Sequence, residues 1–177
     1  IIVSYILRNI LNGRIKYLRG KIDVKRVCPI VEAPVLIVIE EGHIFAPKNE
    51  ECDVVRWLSR IAREGRKFGV GIGIISQRPK KINEDILSQC NTKIVLRIVE
   101  PNDQRYVQQA SEQISEDLLN DIASLGRGEA VIVGSAVKLP VAVRIKKYDG
   151  NYGGRDIEVV DEWRKLNERE KIFKDLD

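Results

Sequence analysis

The 177-residue chain contains no methionine, a single histidine (His43) and three cysteines, Cys28, Cys52 and Cys90. An odd set of cysteines without C-x-x-C spacing indicates neither a disulfide framework nor a zinc site, and suits a reducing, cytoplasmic setting. The longest apolar runs, residues 35–39 and 70–75, are far too short to span a bilayer, so no membrane partner is expected. Polar Ser4, Arg8 and Asn9 interrupt the apolar N-terminus, which therefore does not read as a signal peptide. Translation starts with methionine, yet the chain opens at Ile1 inside an apolar-periodic segment. A portion of a longer polypeptide is expected.

What is present suits a folded α/β domain. At 44% hydrophobic and 32% charged residues the chain has enough apolar material for one buried domain with a tail, and too much to be disordered. The net charge of +4 is unevenly spread. Residues 1–33 hold seven basic side chains, among them Arg14, Lys16, Arg19, Lys21, Lys25 and Arg26, against Asp23 and Glu32. Such a segment suits contact with a polyanion such as DNA, and equally describes a solvated helix face.

Apolar spacing predicts helices over 1–18, 49–68, 102–110 and 115–125, and a short helix over 83–89 opened by an Asn83 cap. Strands are expected at 35–39, 70–76 and 92–99, followed by a hairpin of 129–135 and 139–145. The first of these is a continuous β-branched run, as in a strand buried on both faces of a parallel sheet. Strand, long helix, strand, helix, strand is the grammar of a mostly parallel α/β sheet, finished here by an antiparallel hairpin. A Gly- and Asn-rich break at 150–154 separates a domain of residues 1–147 from an extension over 148–177.

Open α/β sheets bind ligands at the carboxyl ends of their strands. The first strand delivers Glu40 and Glu41 there, followed by Gly42 and His43, and the second leads into Gln77. Two adjacent carboxylates at a dry strand tip suit nucleotide hydrolysis: one acid faces a Mg²⁺ or its waters, the other an attacking water. Gln77 is placed to sense a phosphate or to orient that water. Arg60, Arg63 and Arg66 follow at spacings of three along one ridge, either a docking face or a solvated one. Solvent-facing strand ends are the plain alternative for Glu40, Glu41 and Gln77.

In order, the stretches LIVIEEGHIFAP, WLSRIAREGRKFGVGIGIISQRP, ILSQCNTKIVLRI and GRGEAVIVG resemble the HerA family of the FtsK–HerA hexameric DNA translocases. The resemblance covers roughly residues 1–160. It implies an ATP-driven DNA helicase or translocase acting in DNA end processing and repair, with ATP and Mg²⁺ as cofactors. The implied partners are DNA, a NurA-type nuclease and further copies in a homo-hexamer. It implies that Glu40 holds Mg²⁺ and its waters and that Glu41 polarises the attacking water. Gln77 becomes the polar sensor, and Arg66, with Arg63 second, the arginine finger donated to a neighbour's ATP. His43 is a further candidate contact to the nucleotide site.

One part of the family pattern is missing. No phosphate-binding loop, G-x-x-x-x-G-K-[ST], occurs in the 177 residues. The implied fold is therefore an incomplete RecA-like P-loop NTPase core, its phosphate-loop strand belonging between the second and third strands. Such a chain should expose apolar strand edges and show no ATP turnover alone. Two other readings stand beside this one. The first is a nucleotide-free α/β module binding DNA or a protein through residues 14–26, and the second a metal hydrolase built on Glu40, Glu41 and Asp53. Lys80 and Lys81 are further candidates for phosphate contacts.

Overall fold

Two β-branched runs and the helix between them organise the first half of the chain, described by a computed structural model over residues 1–20, 31–111, 113–150 and 163–164. Lys21, Lys25, Arg26, Cys28, residues 151–154 of the break and the rest of the tail beyond them, except residues 163–164, lie outside the described residues. In chain order the elements are α1 (Ile2–Leu18), β1 (Val35–Ile39), α2 (Gly42–Phe45), α3 (Asp53–Glu64), β2 (Val70–Ile74), α4 (Glu84–Gln89), β3 (Thr92–Val95), α5 (Pro101–Gln109), α6 (Glu116–Ser124), β4 (Glu129–Gly134) and β5 (Val141–Arg144). Short 3-10 turns lie at Gly65–Phe68 and Pro79–Lys81. The chain divides into two compact units, Ile1–Ile145 and Lys146–Asp177. No helix among the described residues is long and apolar enough to cross a membrane.

β1 and β2 pair in parallel, from Val35 opposite Val70 to Ile39 opposite Ile74. Alternation along a strand turns Val35, Ile37 and Ile39, with Val70, Ile72 and Ile74, to one face. On that side Leu7 and Leu11 of α1 and Leu58 and Ile61 of α3 are fully buried against the strands in one core. The opposite face carries Leu36 and Val38, 69% and 58% exposed, beside Gly71 and Gly73. The uniformly apolar run therefore does not mark a strand buried on both faces here: among the described residues only one face is covered.

The third strand departs further from expectation. β3 does not extend the parallel pair. It bonds antiparallel to β4, which bonds antiparallel to β5, so the described pairings form a two-stranded parallel sheet and a three-stranded antiparallel one. "Mostly parallel" is thus corrected, because apolar periodicity marks a strand without naming its neighbour. Val95, Val131 and Val133 pack with Val107, Ile122 and Leu125 into a second core beneath α5 and α6. Gly134 joins the strands closely, since a Cβ there would lie 1.7 Å from the Asn91 carbonyl oxygen and its φ is +101°.

Helix ends follow the local chemistry. Asn83 caps α4 by accepting from the Ile86 N–H, and Ser115 caps α6 by accepting from the Leu118 N–H. The long helix expected over 49–68 ends at Glu64 and tightens into the 3-10 turn before Gly69, whose φ is +67°. Tyr106 of α5 reaches across to the other core, its hydroxyl donating to the Ile82 carbonyl at 2.6 Å. Burial pushes this phenol up to about 12 from its ordinary 10, with Glu84 a lesser cause.

Arg14, the first member of the basic cluster, is buried at 5% exposure. Its guanidinium donates to the Phe68 carbonyl at 2.8 Å and the Val31 carbonyl at 2.8 Å. It fastens α1 to the segments entering β1 and β2 and is not available to a polyanion. Lys16 and Arg19 remain exposed.

Two predictions follow from these contacts. Arg14→Ala should strand buried carbonyls and cost about 2 kcal/mol or more, read as a lower urea midpoint. A substitution with no effect on stability would show that the two bonds do not anchor α1. For Tyr106, the folded state holds the phenol proton more tightly than the unfolded chain, so its contribution is complete below pH 10 and is lost as pH climbs toward about 12. Denaturation across that window should show a component of alkaline sensitivity that Tyr106→Phe removes.

Candidate active site

The carboxyl ends of β1 and β2 meet through backbone bonds that continue past the strands. The Ile75 N–H donates to the Ile39 carbonyl and the Gly42 N–H donates to the Ile75 carbonyl, each at 2.9 Å. Gly42 is required at this crossing, because a Cβ would lie 2.2 Å from Ile74 Cγ2. Glu41 turns the chain from β1 into α2 with φ +51° and ψ +44°, the one non-glycine residue with positive φ among the described residues. A left-handed conformation at a residue with a full side chain is strained, and such strain gathers at functional turns.

Around that turn three side chains converge. His43 Nδ1 lies 3.3 Å from Glu41 Oε2 and 3.0 Å from Ser76 Oγ. Ser76 Oγ also accepts the Arg78 N–H at 3.0 Å, which holds the turn that presents Gln77. The imidazole side chain is 16% exposed and the Glu41 carboxylate 44%, so the acid is anchored yet open to solvent. Gln77 is exposed. Glu40 is also exposed and borders a cavity of about 270 Å³ between α1 and β1, otherwise lined by apolar residues including Val3, Ile6 and Phe45.

Glu41, His43 and the turn bearing Gln77 are therefore brought together, with Glu40 next in the chain. The arginines are not. Arg63 Nη2 is bound to Asp85 Oδ2 at 2.8 Å, tying α3 to α4. Arg60 pairs with Glu64 at 3.4 Å and lies 5.4 Å over the Trp57 ring. Arg66, in the 3-10 turn after α3, is exposed, and its side chain makes no hydrogen bond or ion pair among the described residues. Lys80 is engaged too, its ammonium 3.3 Å from Glu100 and its N–H donating to Asp103 Oδ1 at 3.2 Å. The Asp103 N–H bound to the Glu100 carboxylate, helped by Asn102 and Lys80, holds that acid below its usual range.

Ser76 is the residue that sequence reasoning missed. It closes the second apolar run beside Gln77, but a serine at a strand end carries no signal until its partner across the sheet is known. Asp53, offered for a metal site with Glu40 and Glu41, instead pairs with Arg56 at 3.4 Å. Among the described residues no three His, Cys, Asp or Glu side chains converge on a metal position. A magnesium ion held by one carboxylate, waters and substrate phosphates needs no such cluster, and Glu40 is an exposed strand-tip acid of that type.

Known proteins bear on this arrangement. The chain is 55% identical to the DNA double-strand break repair helicase HerA of Pyrococcus furiosus, over 88% of this chain and 30% of that protein. It is 47% identical to the enzyme of the same name from Saccharolobus solfataricus, over 98% of this chain and 33% of that protein. It thus spans about a third of the length of these curated relatives. Among solved structures, B204, the DNA-packaging ATPase of Sulfolobus turreted icosahedral virus, has a TM-score of 0.58 at 15% identity, covering 81% of this chain and 62% of that one. The genome-packaging NTPase B204 of the second such virus, in complex with ATP-gammaS, has a TM-score of 0.53 at 16% identity, covering 64% and 53% of the two chains. At these identities the likeness is one of fold. The HerA-like helicase C-terminal family model matches residues 31–145, from the approach to β1 to the end of β5, and the chain belongs to that family.

Proposed function

We propose that this chain is the C-terminal part of the ATPase domain of an ATP-driven DNA helicase or translocase that works in DNA end processing and repair. The observation that carries the reading is the Glu41 carboxylate, anchored by His43 beside the Gln77 turn where two parallel strands end. Glu40 and Glu41 leave β1 at successive positions, so one acid serves a magnesium ion and its waters while the other polarises the attacking water. Bound ATP and Mg²⁺ supply the scissile phosphoanhydride and neutralise its charge. Gln77 orients the water or reads the terminal phosphate.

The assembly is a homo-hexamer in which Arg66 reaches the nucleotide of the neighbouring subunit. Arg66 is favoured over Arg63 because its guanidinium is uncommitted, whereas Arg63 would have to leave Asp85. That β2 and β3 lie in separate sheets supports a RecA-like, incomplete core, with the phosphate-loop strand of the longer polypeptide belonging between them. That segment also supplies the nest of backbone N–H groups this chain lacks. Residues 1–147 belong to this ATPase domain and 148–177 form an extension. DNA is gripped through its phosphates by exposed basic side chains such as Lys81 and Arg78. A NurA-type nuclease is the partner at DNA ends, and the setting is cytoplasmic. The nucleotide-free reading through residues 14–26 loses Arg14, which is buried and spent on two carbonyls.

In the full-length polypeptide, Glu41→Gln should lower ATP hydrolysis by about 10²- to 10⁴-fold while ATP and DNA binding persist. Persistent turnover would remove Glu41 from the chemistry. Arg66→Ala should also abolish turnover, and rings mixed from Arg66→Ala and Glu41→Gln subunits should recover part of it, since each subunit then supplies what the other lacks. Arg63→Ala should cost less turnover than Arg66→Ala. The reverse order would reassign the finger to Arg63.

A further inference from the structure

His43 stands two residues past Glu41 and uses one nitrogen for two partners, Glu41 Oε2 at 3.3 Å and Ser76 Oγ at 3.0 Å. In a neutral imidazole each ring nitrogen either donates or accepts. If Nδ1 carries the hydrogen, it donates to the carboxylate, which can only accept, and the Ser76 oxygen competes for the same hydrogen. If Nδ1 is bare, it accepts the Ser76 O–H and offers Glu41 nothing. The two contacts are thus alternatives, or share one bifurcated bond weaker than either alone.

The Ser76 side is not free to drift. Its oxygen accepts the Arg78 N–H at 3.0 Å, and the residue between them is Gln77. On the other side, Glu41 sits in a left-handed turn whose following residue, Gly42, is bound to the Ile75 carbonyl. A chain of polar contacts therefore runs from the Glu41 carboxylate through His43 Nδ1 and Ser76 Oγ to the backbone of the Gln77 turn. His43 is its middle link and lies mostly out of solvent.

We propose that His43 is a positioning residue for hydrolysis, its Nδ1 exchanging between the Glu41 carboxylate and the Ser76 hydroxyl so that the acid and the Gln77 turn are set together. This rests on the reading of Glu41 as the group that orients the attacking water. It gives His43 a role through Glu41 and not as a nucleotide contact. When Nδ1 turns to Ser76, the carboxylate is released toward solvent. When it turns to Glu41, the acid is pinned beside β1.

The test uses steady-state ATP hydrolysis by the full-length polypeptide. His43→Ala should lower kcat roughly 10- to 100-fold, as expected for a misplaced reacting group. The KM for ATP should stay within about 3-fold, because no ground-state contact is lost. His43→Asn, whose amide nitrogen reaches the place of Nδ1, should regain most of that loss. Ser76→Ala should also lower kcat, and combining it with His43→Ala should cost no more than the worse single change. An unchanged kcat in His43→Ala, an Asn variant no better than Ala, or losses that multiply would each overturn the proposal. Thermal midpoints of His43→Asn and Ser76→Ala keep the result readable if His43→Ala fails to fold. Glu41→Gln run alongside separates the two levels. If it keeps turnover, the reading of Glu41 falls. If it loses turnover while His43→Ala does not, only the positioning role falls.

Discussion

The parallel register of β1 and β2 at their carboxyl ends is the constraint on which the rest depends. The ladder continues past both strands through the Ile75 N–H to the Ile39 carbonyl and the Gly42 N–H to the Ile75 carbonyl. It holds only because residue 42 has no Cβ to meet Ile74. Side chains on a strand repeat every two residues, so a slip of one would exchange the inward set Ile37 and Ile39 for Leu36 and Val38. The same slip would pull Glu41 and His43 away from Ser76. Core and site are thus fixed by one register.

Several of the charged side chains singled out in the sequence are committed to partners, and those commitments sort the candidates. Arg14 is built into the core of the first half, Arg63 ties two helices, and Lys80 holds the start of α5 through Glu100 and Asp103. Exposed pairs of this kind contribute little stability each, but they restrain the side chains that make them. Among the described residues Arg66 beside α3 keeps an uncommitted guanidinium, and the side chains of Lys81 and Arg78 beyond β2 and of Lys16 and Arg19 on α1 and its end are uncommitted too. Position in the sequence gives Arg60, Arg63 and Arg66 equal standing on one ridge. Their partners do not.

The two sheets also divide the molecule's requirements. The antiparallel sheet is closed by local chemistry: a hairpin, the forced approach at Gly134, and a core of valines under α5 and α6. The parallel pair needs cover on both faces and among the described residues has it on one, with Leu36 and Val38 exposed beside two glycines. The link between the halves is polar, through Tyr106 to Ile82 and Lys80 to Asp103. Both bonds meet the segment that follows Gln77, so α5 steadies the approach to the site from its far side.

Where local interactions decide, the sequence alone was enough. β1 falls on its expected residues, the Asn83 and Ser115 caps hold their helices, and the hairpin forms, because each depends on neighbours a few residues apart. The two acids at a strand tip were also legible, since an apolar run ending in Glu40 and Glu41 needs no partner to be seen. Only the tertiary structure decided that β3 joins β4 and not β2, that Arg14 is buried, and that Ser76 answers His43 from 33 residues away. The physical reason is common to all three. Periodicity and capping are properties of a segment, whereas strand partners, burial and side-chain hydrogen bonds are properties of a pair that the folded chain alone brings within reach.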